Sequence, residues 1–329
     1  MAVNDGDNIT AAQYNGLQSR IEQVLGTGSG DFGYGNSVSS EQVAAADVVT
    51  AGQMDNLRTD MGKCWTHQTG DNIPLANIAT GNVIGADASG TGVTFDAQNN
   101  YTIDGAIANG GFNDYLSRMD ELETNRFDID DGEQTVADVV GTTTTNSWNG
   151  TINATFQVSF GSAANRRYFF NSGGELRLSV SGANGTGSKD TDWDTILSNP
   201  GQIRMGYNYT TISGSNNGVT LNSIGNDAIT GTYQEVFKKV GTAAVYAENY
   251  WKVEVRTGAN SHTFEFKVTL VDDDAGDRPD PSPPAPFGPL TDEDVTLDIT
   301  GTFAMRRATG SNIAYPAPTP NVSVTDDWS

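Results

Sequence analysis

From Thr144 onward, apolar side chains tend to fall on every second residue, and no other property limits the fold of this chain as much. TINATFQVSF places Ile152, Ala154, Phe156, Val158 and Phe160 on one face of an extended segment, and GELRLSV does the same with Leu176, Leu178 and Val180. Successive side chains of a strand point to opposite faces, so each segment buries one face and wets the other. IRMGYNYTTI, TYQEVFKKV, AVYAENYWKVEVRT, HTFEFKVTLVDD and VTLDITGTFAMRR extend the series. Val245, Ala247, Trp251, Val253 and Val255 share a face interrupted only by Asn249, while Phe264, Phe266, Val268 and Leu270 form an unbroken one. So many short strands predict an antiparallel β-sandwich over residues 141–329. The Pro- and Asp-rich stretch 272–294 reads as a loop, because proline cannot donate to a ladder. The closing YPAPTPNVSVTDDWS reads as an extended tail, lying on a neighbour or in solvent.

The first 70 residues obey a different period. ITAAQYNGLQSRI and VTAGQMDNLRTDM lie forty residues apart and align without a gap: Thr10 with Thr50, Ala11 with Ala51, Gln13 with Gln53, Leu17 with Leu57. Each copy opens on a threonine able to cap a helix. Each then repeats apolar residues at helical spacing: Tyr14, Leu17, Ile21, Val24 and Leu25, then Met54, Leu57, Met61, Cys64 and Trp65. Helices this short are marginal alone, so their stripes must pack on each other or on another subunit. Residues 1–70 are therefore expected to form a helical attachment region, with Tyr14, Leu17, Ile21, Met54, Leu57, Met61 and Trp65 as its contact residues. Residues 71–140 form a glycine-rich connector with one amphipathic helix in FNDYLSRMDELETNRFDI. Its heptad-like seam of Phe112, Tyr115, Met119 and Leu122, widened by Leu116, is expected either to pack as a surface helix on a β-domain or to form the interface of a homo-oligomer. The fold class expected is mainly β with N-terminal α.

Charge excludes some partners. With 41 acidic residues against 18 basic ones among 329, the net charge is −23, and that field repels nucleic-acid backbones and anionic membrane surfaces. The start MAVNDGDNIT carries acids where a secretory leader needs a basic region and an apolar run, and no stretch approaches the roughly 18 apolar residues of a membrane span. No membrane insertion is expected, and assembly is expected in a cytoplasm.

Reactive chemistry is sparsely written. A single cysteine, Cys64, rules out an internal disulfide framework, and the two histidines, His67 and His262, sit in unlike contexts with no G-x-S-x-G turn. Asp128, Asp130 and Asp131, and Asp272, Asp273 and Asp274, are the acidic turns best suited to calcium, yet neither follows the EF-hand register. No catalytic residue, metal or cofactor is therefore assigned. Tyr250 and Trp251 are the candidates for a glycan contact on the sandwich.

ANRRYFFNSGGELRLSVSG, residues 164–182, followed at Asp192 by DWDTIL, resembles a segment of virion structural proteins of marine T4-like tailed phages, particularly those of cyanobacteria. The N-terminal repeat with its KCWTHQTG end resembles the same group. The resemblance implies a strand–turn–strand unit at Asn171-Ser172-Gly173-Gly174 and a virion component of the tail, neck or fibre that contacts other virion proteins. Such a component would dock by its helices, display its sandwich, and form a trimer or a ring. A carbohydrate-binding module for the host surface and a capsid decoration protein are the alternative expectations.

Overall fold

A computed structural model of the chain describes residues 9–27, 32–77, 92–95, 101–104, 111–242, 246–273, 293–314 and 321–328. The chain is mainly β with N-terminal helices, and divides into two units. The helical unit comprises Met1–Thr135, Arg167–Gly173 and Arg307–Ala317; the β unit comprises Val136–Arg166, Gly174–Arg306 and Pro318–Ser329. The connector expected over 71–140 is thus no separate region: its helix belongs to the helical unit, and the boundary falls at 135/136.

In the helical unit, α1 (Ala11–Leu25) and α2 (Ala51–Thr69) begin with the same device. The Thr10 hydroxyl accepts from the Gln13 backbone at 3.3 Å, and the Thr10 backbone donates to the Gln13 side chain at 2.8 Å. Thr50 and Gln53 repeat both bonds at the same distances. Each capping box satisfies two otherwise orphaned donors and contributes about 1 kcal/mol. A two-stranded hairpin follows, β1 (Gly92–Phe95) and β2 (Tyr101–Asp104), then α3 (Phe112–Thr124), where the Asp114 carboxylate accepts from the Gly111 backbone.

All three helices run parallel. The Tyr14 hydroxyl donates to the Gln53 carbonyl near the starts of α1 and α2. At the other ends, the Gln68 amide donates to the Leu122 carbonyl of α3 and to the hydroxyl of Tyr34, whose own backbone bonds Val24. Their stripes meet in one core that includes Tyr14, Leu17, Ile21, Met54, Leu57 and Met61. Asp60, fully buried, accepts from the Ser39 and Ser40 backbones and so pins the return path between α1 and α2.

The β unit is a sandwich of two antiparallel sheets. The strands are β3 (Gln134–Thr144), β4 (Thr151–Ser159), β5 (Glu175–Ala183), β6 (Ile203–Met205), β7 (Thr210–Ile212), β8 (Val219–Leu221), β9 (Gln234–Val240), β10 (Tyr250–Thr257), β11 (Thr263–Val271), β12 (Asp298–Ala308) and β13 (Asn321–Asp326). One sheet has the order β13-β4-β11-β10-β9-β8 and the other β3-β12-β5-β6-β7. Phe303 of β12 stacks on Phe156 of β4 at 5.6 Å between ring centres and tilts against Phe266 of β11 at 5.2 Å, closing the two layers on each other. An α-helix, α5 (Ser188–Ser198), packs on β5, β9 and β10.

Three expectations are corrected. RRYFFNSGG is a helix followed by a turn: α4 (Ala163–Asn171) starts where the Ser162 hydroxyl accepts from the Asn165 backbone, and Gly173, at φ +79°, bonds back to Phe170 and turns the chain into β5. Glycine closes a helix there, a role that leaves the same trace as a hairpin turn. Residues 321–326 of the expected tail are a strand: β13 pairs with β4 from Asn321↔Ser159 to Asp326↔Ala154, and Trp328 beyond it is buried. Strand character in AVYAENYWKVEVRT begins only at Tyr250; Val245 lies outside the described residues. Most of the 272–294 loop, residues 274–292, also lies outside them.

Candidate functional site: an arginine row and a free sheet edge

The residues expected to meet a partner are used inside the chain. Phe112, Tyr115, Met119 and Leu122 are all fully buried in the helical core, and Leu116 packs partly buried against it. They are therefore no oligomer interface: the three places of a parallel helical trimer are filled by α1, α2 and α3 of one chain. Tyr14, Leu17, Ile21, Met54, Leu57 and Met61 are likewise consumed, with Trp65 partly buried beside them under the Arg118 guanidinium. Attachment through these apolar stripes is corrected on the same ground.

Trp251 is fully buried, with its indole N–H donating to the Ile196 carbonyl at 2.9 Å and its ring against Phe237, so it makes no glycan contact. Tyr250, on the outer face, is half-buried and carries the Lys238 ammonium 3.8 Å from its ring centre. Cys64 is buried in the helical core, and burial pushes its thiol pKa up, away from nucleophilic thiolate. His67 is buried beside Tyr34, with its Nε2 3.0 Å from the Ser172 carbonyl. Asp130 turns inward on its own loop, accepting from the Gly132 backbone. Among the described residues no group of three or more His, Cys, Asp or Glu is assembled to hold a metal, and no helix is long and apolar enough to cross a membrane.

Two further features lie outside the apolar cores, the first largely covered, with the Arg177 and Arg306 side chains 13% and 15% exposed. The first lies on the outer face of the five-stranded sheet. Register places Arg177 of β5 directly opposite Arg204 of β6, and Glu175 of β5 directly opposite Arg306 of β12. Three guanidiniums thus form a row across adjacent strands. The Glu175 carboxylate is fully engaged: Oε2 accepts from Arg177 at 2.9 Å, and Oε1 accepts from the Tyr209 hydroxyl at 2.6 Å and lies 3.2 Å from Arg306. Arg204, half-buried, has a single long contact to the Gln202 amide oxygen at 3.4 Å, and its Nε is buried with no hydrogen-bond partner. Burial lowers the Arg306 pKa, with Glu175 opposing that drop and Arg177 and Arg204 adding to it. The sequence carries part of the signal: in LRL and IRM arginine occupies the parity opposite the apolar residues, and Arg306 likewise alternates with Phe303 and Met305.

The second feature is β3, the outermost strand of the same sheet. Its sequence, QTVADVVGTTT, has one charged residue in eleven and neither lysine nor proline. Val136 and Val139 are 49% and 62% exposed, two of four large apolar side chains left in solvent among the described residues. Thr142 donates to Asp326 of β13 at 2.7 Å, so the edges of both sheets lie along one side of the sandwich.

Comparison with protein-family models, curated proteins and solved structures gave no match. The function must be argued from these surfaces.

Proposed function

We propose that the chain is a structural subunit of a tailed-phage particle, part of the tail, neck or fibre, and that it assembles with copies of itself through the free edge of β3. The observation that carries the reading is that edge. An unpaired strand presents a row of N–H and C=O groups, and soluble monomers commonly blunt such rows with lysine, proline or a covering element. Here the strand keeps β-branched residues and two exposed valines, Val136 and Val139. Antiparallel pairing of β3 with β3 of a second copy would join two five-stranded sheets across a two-fold axis. The resemblance of residues 164–182 and of the helical repeat to virion proteins of marine tailed phages adds the setting, although α4 replaces the strand–turn–strand unit it implied.

The test is twofold. Light scattering coupled to size exclusion is expected to show an oligomer that Val139→Lys converts to monomer with an unchanged circular dichroism spectrum; a wild-type monomer at all concentrations, or an unaffected oligomer in V139K, refutes the edge. Gold-labelled antibody on purified particles of the encoding phage is expected to decorate the tail, neck or fibre. Absence of the chain from the particle refutes the setting.

A further inference from the structure

We propose that Arg177 and Arg204, backed by Arg306, form a binding site for an oxyanion: a carboxylate, or a sulfate or phosphate group. This goes beyond the assembly reading and does not depend on it.

Two like charges directly opposite on neighbouring strands are unfavourable, because their Cβ atoms stand only about 5 Å apart. Arg177 and Arg204 occupy such a pair. Glu175 relieves one side of it, since its Oε2 takes both the Nε and an Nη of Arg177, at 2.9 and 2.8 Å. Its other oxygen is taken by Tyr209 and Arg306. Nothing comparable reaches Arg204: the Gln202 contact is long and uncharged, and Nε is left buried without an acceptor. An unsatisfied charged donor of that kind costs more than the hydrogen bond it would make. An anion seated between Arg204 and Arg177 supplies the missing acceptor and separates the two cations at once.

The chemistry of the ligand follows from the donors. Guanidinium presents parallel N–H groups that match the two oxygens of a carboxylate or two oxygens of a tetrahedral anion, whereas a lone chloride meets only one of them. The site also stands on β5 and β6, elements of a packed sheet, so its donors are held in place before binding. In a chain with 18 cationic residues, three on one row of one sheet face make a local positive field in an otherwise acidic surface.

The probe is sodium sulfate, with sodium phosphate, sodium acetate and poly-L-glutamate in parallel arms, added to the full chain at fixed ionic strength made up with sodium chloride. Sulfate is expected to raise Tm saturably, by about 3–5 °C at ten times its Kd. Arg204→Gln, relieved of the cation pair and the orphaned Nε, is expected to match or exceed the wild-type Tm in chloride and to lose the sulfate shift; Lys252→Gln, on the outer face of the other sheet, is expected to retain the sulfate shift. Arg204→Lys, with the charge but no fork, is expected to weaken binding about tenfold. Should R204Q be unstable, the Arg204 Nε–H resonance of wild type is read instead: a saturable shift with sulfate at matched ionic strength is expected, and no shift overturns the proposal. Poly-L-glutamate saturating at lower carboxylate concentration than acetate assigns the site to an acidic chain, and sulfate or phosphate binding without it assigns a free anion. An equal sulfate shift in R204Q, meaning an adventitious ion only, or no shift with any of the four anions, overturns the proposal.

Discussion

Replacing Asp190 by asparagine tests whether α5 holds the sandwich together in the way its bonds imply. Asp190 sits in the first turn of α5 and is 4% exposed. Its Oδ2 accepts from the backbones of Thr186 and Gly187, both at 3.1 Å, and from the Thr296 hydroxyl at 2.7 Å; its Oδ1 accepts from the Thr296 backbone at 2.8 Å. One carboxylate thus closes the α5 N-terminus and ties it to the chain just ahead of β12. Asparagine keeps the volume but has one acceptor oxygen. With that oxygen at the three-donor position, the amide N–H₂ faces the Thr296 N–H, donor against donor. Charge-assisted hydrogen bonds are worth roughly 1.5–3 kcal/mol each and are not additive, so D190N should cost about 2–3 kcal/mol at pH 7, or about 5–10 °C in Tm. Urea unfolding followed by tryptophan fluorescence suits the question, because Trp193 lies on α5 and packs edge-on against Trp148 at 5.1 Å. The pH dependence has a definite sign. Burial alone would raise the Asp190 pKa, but the bonds from Thr296, Gly187 and Thr186 outweigh it and hold the carboxyl below its usual 3.8. A depressed folded pKa means stabilisation that is complete above the unfolded value and lost as pH falls through the folded one. The gap between wild type and D190N should therefore be constant from pH 7 to about 5 and shrink below about 4. A gap under about 0.5 kcal/mol at pH 7, or one that stays constant down to pH 3, refutes the reasoning.

Lys189 and Asp272 form an ion pair at 2.7 Å with side chains 2% and 1% exposed, so Lys189→Met should destabilise the β unit by about 3–5 kcal/mol in urea titration, and the added change Asp272→Leu should recover much of it. Met119→Asp places a charge in the helical core, and loss of helical circular dichroism at 222 nm, rather than dissociation of a folded oligomer, is the expected result. Gly173→Ala forces a Cβ to within 2.8 Å of Ile129 at φ +79°, and should lower stability by about 2 kcal/mol or more in the same titration. Deleting residues 321–329 removes β13 and the Trp328 ring that lies against Gly301, and should leave the β4 edge open; light scattering is expected to report aggregation.

What the sequence disclosed depended on whether a face was covered by the same chain. β4 alternates along its whole length and β11 from Phe264 to Val268 because each buries one face across the sandwich, and the period-two reading found both. The same parity placed Trp251 with Val253 and Val255, hence inward, so its burial was legible even though it was taken for a glycan contact. β3 escaped because QTVADVVGTTT shows no period-two alternation, and β13 escaped because its alternation is only Val322 and Val324, following a proline-rich stretch. Tyr168, Phe169 and Phe170 in succession carry neither a helical nor a strand period, which left α4 to be judged by its glycines. The stripe on α3 was read correctly as apolar and wrongly as intermolecular. A buried stripe looks the same whichever chain covers it. The arginine row depends on register between β12, β5 and β6, and register is set by tertiary pairing that no single segment records.

The parallel course of the three helices gives the duplication a physical reason. In an antiparallel pair, residues at equal distances from the two N-termini lie at opposite ends, so repeating one sequence would bring unlike positions together. In a parallel set they lie at one height. Counting from the cap residues Thr10, Thr50 and Gly111, the fourth positions are Tyr14, Met54 and Tyr115 and the eleventh are Ile21, Met61 and Leu122, and all six are buried in the one core. Equal layers can then be built from equal segments. The arrangement has a cost, because parallel helices align their dipoles and gather their orphaned N–H groups at one end. Neither α1 nor α2 has an acid in its first turn to offset that charge, which leaves the Thr–Gln capping boxes to satisfy the donors. Parallel neighbours also require a connection that travels the full length back, and residues 36–43 do so, bonding to Leu25, Gln18 and Asn15 in turn on the way to the start of α2. Residues 36–43 are therefore a structural strap, and the paired segments are two parallel helices of one core.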